Sequence, residues 1–156
     1  MKYPNSFCAR ILQGIYFPHS SFLEAVKGRR ASWAWASILQ GRNVLMEGLR
    51  WQIHSGANVQ FWKDKWVPTL TKFKLFTPVP DGSVISKVED VIDSTCQRWK
   101  VDVLRTLVSE SEMEAIRTIP LPLASTEDAL IWHFDSTGVY SVKSGYHVTL
   151  SETQNQ

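Results

Sequence analysis

Arg50-Trp51-Gln52-Ile53-His54, then Ser55-Gly56-Ala57-Asn58, then Val59-Gln60-Phe61-Trp62: across this stretch the apolar residues recur at every second position. The middle four residues are turn formers. An alternating run, a turn and a second alternating run predict a β-hairpin with Trp51, Ile53, Val59 and Phe61 on its buried face. Lys63-Asp64-Lys65-Trp66 and Pro68 close it.

Upstream the period is helical. Phe7, Ile11 and Leu12 share one face of a helix expected over residues 5–13, with Gly14 as its stop. Ser21 and Glu24 have capping-box spacing, and Gly28 stands where a left-handed terminator would, so a short second helix is expected there. Ser32 is a good N-cap for a longer helix that carries Trp35, Ile38, Leu39, Leu45 and Met46 and ends near Gly48. Gly41 inside it costs about 1 kcal/mol relative to Ala and invites a break.

Downstream, residues 67–84 contain three prolines and little periodicity, which reads as an extended linker or surface loop. Three short amphipathic segments follow, marked by Val88, Val91 and Ile92, by Val101, Leu104 and Val108, and by Met113, Ile116 and Ile119. A second hairpin is expected from Leu130–Phe134 to Val139-Tyr140 across Asp135-Ser136-Thr137-Gly138. Ser141 then caps a final helix bearing Val142 and Tyr146, and residues 151–156 are expected to fray. The fold class is therefore α+β, helix-rich, with two small β-hairpins. Such hairpins form no independent sheet unless they pair or pack on helices, so an incomplete domain is expected. The organisation reads as a basic helical segment ending in a hairpin (1–66), a loop or linker (67–84), and short helices with the second hairpin (85–150).

Composition permits a packed core, with 44% hydrophobic and 21% charged residues in 156. The net charge of +2 conceals an asymmetry. Residues 1–80 hold 11 Lys/Arg against 3 Asp/Glu, and residues 81–156 hold 6 against 12. That pattern suits a nucleic-acid-facing surface, two halves that neutralise each other, or simply two solvated surfaces of opposite sign. Cys8 and Cys96 form neither a disulfide framework nor a metal signature. No apolar run approaches the length of a membrane span, and the N-terminus lacks a signal-peptide cleavage pattern. An intracellular, non-secreted chain is expected, with the nucleus among the compartments open to it.

There is no glycine-rich phosphate loop, nucleophile elbow, Asp-Asp pair or zinc-ligand spacing. His133, between Trp132 and Phe134, reads as a packing residue, and Glu89, Asp90 and Asp93 read as a solvated helix face. No cofactor, metal or small-molecule substrate is expected. The constellation with functional colour is the interleaving of cations and tryptophans over residues 27–74. Phosphates attract cations and bases stack on aromatic faces, which makes Lys27, Arg29, Arg30, Arg42, Arg50, Trp62, Lys63 and Lys65 candidate contacts to RNA or DNA. Trp35 and Trp51 are expected inside, and Trp62 on the outer hairpin face.

Six phrases occur in an order that resembles plant LINE-type (non-LTR) retrotransposon polyproteins: Tyr16-Phe17-Pro18-His19-Ser20-Ser21-Phe22-Leu23-Glu24-Ala25, Ser32-Trp33-Ala34-Trp35-Ala36-Ser37-Ile38-Leu39-Gln40-Gly41-Arg42, Gly48-Leu49-Arg50-Trp51-Gln52-Ile53, Phe61-Trp62-Lys63-Asp64-Lys65-Trp66, Leu130-Ile131-Trp132-His133-Phe134 and Gly138-Val139-Tyr140-Ser141-Val142-Lys143-Ser144-Gly145-Tyr146. The resemblance covers nearly the whole chain. It implies the segment between the reverse transcriptase and the zinc-binding and RNase H-like regions of an RNA-directed DNA polymerase polyprotein. Polymerase motifs would then lie upstream of Met1 and the Cys and His zinc ligands downstream of Tyr146. Ala36 stands where the family often has arginine, which removes one phosphate contact. The expected function is that of a non-catalytic polyprotein fragment without independent activity. A template- or primer-contacting module and a protein-interaction fragment with exposed apolar surface are the alternatives.

Overall fold

Trp35 and Trp66 are wholly buried, each at the centre of a separate hydrophobic cluster. The computed structural model describes residues 5–29, 31–122 and 126–154. The chain divides by packing into two units, residues 1–47 with 148–156, and residues 48–147. The expected α+β class holds, with five α-helices and two antiparallel two-stranded sheets among the described residues.

In the first unit, α1 (Phe7–Tyr16) starts at Ser6, whose hydroxyl accepts the Ala9 N–H, and runs through Gly14 rather than stopping there. The expected helix at 21–28 is absent. The Ser21 N–H and hydroxyl do bond the Glu24 carboxylate, but a single turn at 22–24 follows and no helix propagates. One capped turn gains too few hydrogen bonds to repay nucleation. Helix α2 (Trp33–Gly48) is capped at Ser32 as expected and continues unbroken past Gly41. It buries Trp35 and Leu39 but leaves Ile38 and Met46 substantially exposed. The Trp35 ring lies parallel to both Tyr16 and Phe17, with centroids 4.6 and 5.5 Å away.

In the second unit, β1 (Leu49–Gln52) does not pair with residues 59–62. Its partner is β4 (Ala129–Trp132), in the register Leu49↔Trp132 to Gln52↔Ala129. The expected hairpin over 50–62 is therefore replaced by a long-range pair. Its turn is held open by Asp128, whose carboxylate accepts the backbone N–H groups of His54, Ser55, Gly56 and Asn58. Residues 59–61 bond residues 86–88 instead, through Phe61 N–H to Ser86 O at 2.9 Å and Val88 N–H to Val59 O at 3.0 Å. Ile53, Val59 and Phe61 are nonetheless buried as the alternation predicts, and Trp51 is half-buried.

The second expected hairpin is likewise only half formed. The turn at 135–138 closes, with Gly138 at φ +70° and Trp132 N–H donating to Gly138 O, but Val139-Tyr140 is not a strand, and β4 pairs with β1. Where a first amphipathic helix is expected, a 3₁₀ turn (Val88–Val91) leads into a tight hairpin of β2 (Ile92–Asp93) and β3 (Arg98–Trp99). The next two segments are helices as read, α3 (Val101–Leu107) and α4 (Glu110–Arg117). Residues 67–84 are loop apart from a short 3₁₀ turn (Thr71–Phe73), and they contribute the buried side chains of Val67 and Phe73. Ser141 caps α5 (Val142–Gln154), which is helical over 151–154 where fraying is expected, and residues 155–156 lie outside the described ones.

Two buried carboxylates organise the second unit. Asp128 pins the 54–58 loop. Glu112, fully buried, closes a capping box with Ser109 and accepts the N–H groups of Phe76 and Thr77 and the Thr77 hydroxyl. Burial alone would raise its pKa, but these donors outweigh burial and hold it at about 2. Glu112 thus ties residues 76–77 to the start of α4.

Candidate nucleic-acid interface

The candidate contacts divide between the two units. Lys27 and Arg29 are exposed in the loop before α2, and Arg30 lies outside the described residues. Arg42 is half-buried on α2, and its guanidinium donates to the carbonyls of Phe22 and Ala25. It holds the 22–25 turn against the helix, so its donors serve the fold.

The second unit brings Arg50, Trp62, Lys63 and Lys65 onto connected segments. The Asp64 carboxylate accepts the Gln60 N–H at 2.7 Å and the Asp64 N–H returns to Gln60 O, which makes residues 60–64 a tight turn. Lys63 is exposed on it. Trp51 N–H donates to Lys65 O at 2.7 Å, so the 65–67 segment runs beside β1 on the side away from β4. Trp62 does not stand clear on an outer face. It is half-buried edge-on to Phe61, and its indole N–H donates to Ile85 O at 3.0 Å.

Arg50 is the most constrained of the four. Its Nε donates to His133 Nδ1 at 2.9 Å and its Nη1 to Trp51 O at 3.3 Å. Both bonds arise from the sheet, since Arg50 faces Ile131 and His133 is the next residue on that side of β4. Burial lowers the Arg50 pKa. His133 is lowered by burial first and by the Arg50 charge second, so its ring is a neutral acceptor toward the guanidinium. No carboxylate pairs with Arg50 among the described residues.

Glu89, Asp90 and Asp93 do not converge. Glu89 pairs with Lys87, the Asp90 carboxylate accepts the N–H groups of Ser86 and Lys87, and the Asp93 carboxylate accepts that of Thr95. Among the described residues no group of three or more His, Cys, Asp or Glu side chains is arranged to hold a metal ion.

Sequence reasoning missed His133 as the partner of Arg50, Asp128 as the loop anchor and Glu112 as a buried cap. Ser109-x-x-Glu112 carries the capping-box spacing and was open to reading. Arg50 with His133, and His54 with Asp128, are separated by 83 and 74 residues, and no local signal announces either contact.

The chain is similar to two plant proteins, both from Arabidopsis thaliana. It is 42% identical over 64 residues to an uncharacterized mitochondrial protein, covering 41% of this chain and 42% of that protein. It is 29% identical over 125 residues to a protein provisionally named a ribonuclease H protein, covering 76% of this chain and 20% of the relative. The chain therefore spans less than half the length of either curated relative. No protein-family model and no solved structure matches it.

Proposed function

We propose that this chain is a non-catalytic segment of a retroelement-derived polyprotein of the LINE type, without independent polymerase or nuclease activity. The observation that carries this reading is the 125-residue similarity to one fifth of a protein with a provisional ribonuclease H name, together with the ordered phrases that resemble such polyproteins. Its own titratable groups suit this role, because the buried carboxylates Glu112 and Asp128 are occupied by backbone and hydroxyl donors rather than facing a substrate. Purified chain should show no turnover on primer–template or RNA–DNA hybrid substrates. Measurable turnover that survives further purification would overturn the proposal.

A second reading is favoured by the surplus of cations in residues 1–80 and by exposed Lys27, Arg29 and Lys63. In it, the segment contacts template or primer through phosphates. Affinity for single-stranded RNA should then fall linearly on a log–log scale as salt rises. Replacing Arg29, Arg30, Lys63 and Lys65 together should flatten that slope by roughly one unit per lost phosphate contact. An unchanged slope removes this reading.

A further inference from the structure

A cleft of about 330 Å³ opens beside β1 in the second unit. Arg50 and Gln52 line it from the strand, Trp66 and Pro68 from the segment that runs alongside, and Leu121 and Pro122 from the chain after α4. Its volume is at the lower end of what small-ligand sites use, enough for one nucleotide-sized group rather than a folded partner. The walls are mostly apolar, since the side chains of Pro68, Pro120, Leu121 and Pro122 offer no hydrogen bonds. The polar side chains are few: Arg50 and Gln52 on the strand, His54 just after it, and Thr118 at the end of α4.

Arg50 gives the cleft its chemistry. Two of its nitrogens are committed, Nε to the neutral His133 ring and Nη1 to Trp51 O, which holds the guanidinium plane in place. Nη2 donates to nothing among the described residues, and no carboxylate there offsets the charge. A partly buried cation without a counter-charge favours an anion strongly, and the planar fork of arginine matches phosphate oxygens. Gln52 is two residues along the same strand, hence on the same face, and its side-chain amide makes no hydrogen bond among the described residues. An amide that can donate and accept suits the edge of a base.

We propose that this cleft takes one nucleotide unit of a single-stranded nucleic acid, its phosphate on the Arg50 guanidinium and its base between Gln52 and the Pro68–Leu121–Pro122 wall. The proposal rests on the template-contacting reading above and gives it a place. Lys63, exposed on the turn that leads into the segment adjoining β1, supplies a further cationic group for the flanking backbone.

The test is fluorescence anisotropy with a short labelled oligothymidylate and the whole chain at low salt. Arg50→Gln should weaken binding about tenfold or more and lower the salt slope by about one, with Arg50→Lys recovering part of the loss. Lys27→Gln combined with Arg29→Gln should weaken binding less than Arg50→Gln alone. Thymidine monophosphate should compete better than inorganic phosphate, and a polyglutamate peptide should not compete. Binding that Arg50→Gln leaves unchanged would overturn the cleft while leaving the nucleic-acid reading intact. Absence of binding by folded protein would remove both, and equal competition by polyglutamate would reduce the site to a general anion contact. Should Arg50→Gln not fold, amide shifts of the unmodified protein decide. Oligothymidylate must move Gln52, Ile53, His54 and Leu121, and shifts confined to other residues would overturn the assignment.

Discussion

Glu112 shows how much one side chain can hold. It is fully buried, yet its carboxylate accepts from Ser109, Phe76 and Thr77, and those donors keep it ionised down to about pH 2. A folded pKa below the ordinary 4.5 means that the stabilisation is complete above about pH 4.5 and is lost as pH falls toward 2. The full shift corresponds to at most about 3 kcal/mol. Glu112→Gln should therefore lower the melting temperature at neutral pH and show a shallower loss of stability between pH 4.5 and 2 than the parent chain. Parallel thermal melts of both proteins across that range check the sign, and identical acid profiles would contradict it. Arg50 and His133 make the complementary case, in which a cation is kept unneutralised by a neutral ring at 2.9 Å.

At the scale of elements, the β1–β4 pair decides the second unit. It brings residues near 50 beside residues near 130, and it depends on close approach at its first position. Gly48 ends α2 immediately before β1, and a Cβ added there would come 2.2 Å from the Trp132 ring. Trp132 is 1% exposed and has no room to move aside without disturbing the strand that carries it. Gly48→Ala is expected to cost on the order of 3 kcal/mol, as other overpacked cores do, and a urea unfolding curve should show the midpoint fall. A midpoint within error of the parent would mean that the Trp132 packing is looser than its burial indicates. Alternation correctly marked Ile53, Val59 and Phe61 as buried, because burial depends on which face a residue occupies. It failed to identify the strand partners, because β4 and residues 86–88 satisfy the same backbone groups as the expected hairpin.

At the scale of the molecule, the two units differ greatly in core size among the described residues. The cluster around Trp35 contains Phe17, Ala25, Trp35 and Leu39, whereas that around Trp66 joins fourteen buried residues. Stability within a chain follows such differences, with poorly buried elements opening at lower free energy. Amide hydrogens in α1 should exchange well before those in α4, by hydrogen-exchange mass spectrometry of the native protein. Equal protection would show that the smaller cluster is supported by more than its own side chains. The acidic and basic halves of the sequence do not coincide with these units, since residues 48–80 carry Arg50, Lys63 and Lys65 into the unit that also holds most of the acids.

Local physical chemistry in the sequence determined the α+β class, the helix over residues 5–13 though not its continuation past Gly14, the Ser32-to-Gly48 helix, α3 and α4, the turn at 135–138 and the burial of alternating residues after position 50. Each of these depends on spacing over a few residues, where caps, turns and periodicity act. Tertiary structure alone decided that β1 joins β4, that Asp128 holds the 54–58 loop, and that Arg50, bonded to His133, lines a cleft. Those outcomes bring together groups more than seventy residues apart. A backbone N–H is satisfied equally by a near or a distant acceptor, so the choice falls to whichever pairing also buries the most apolar surface.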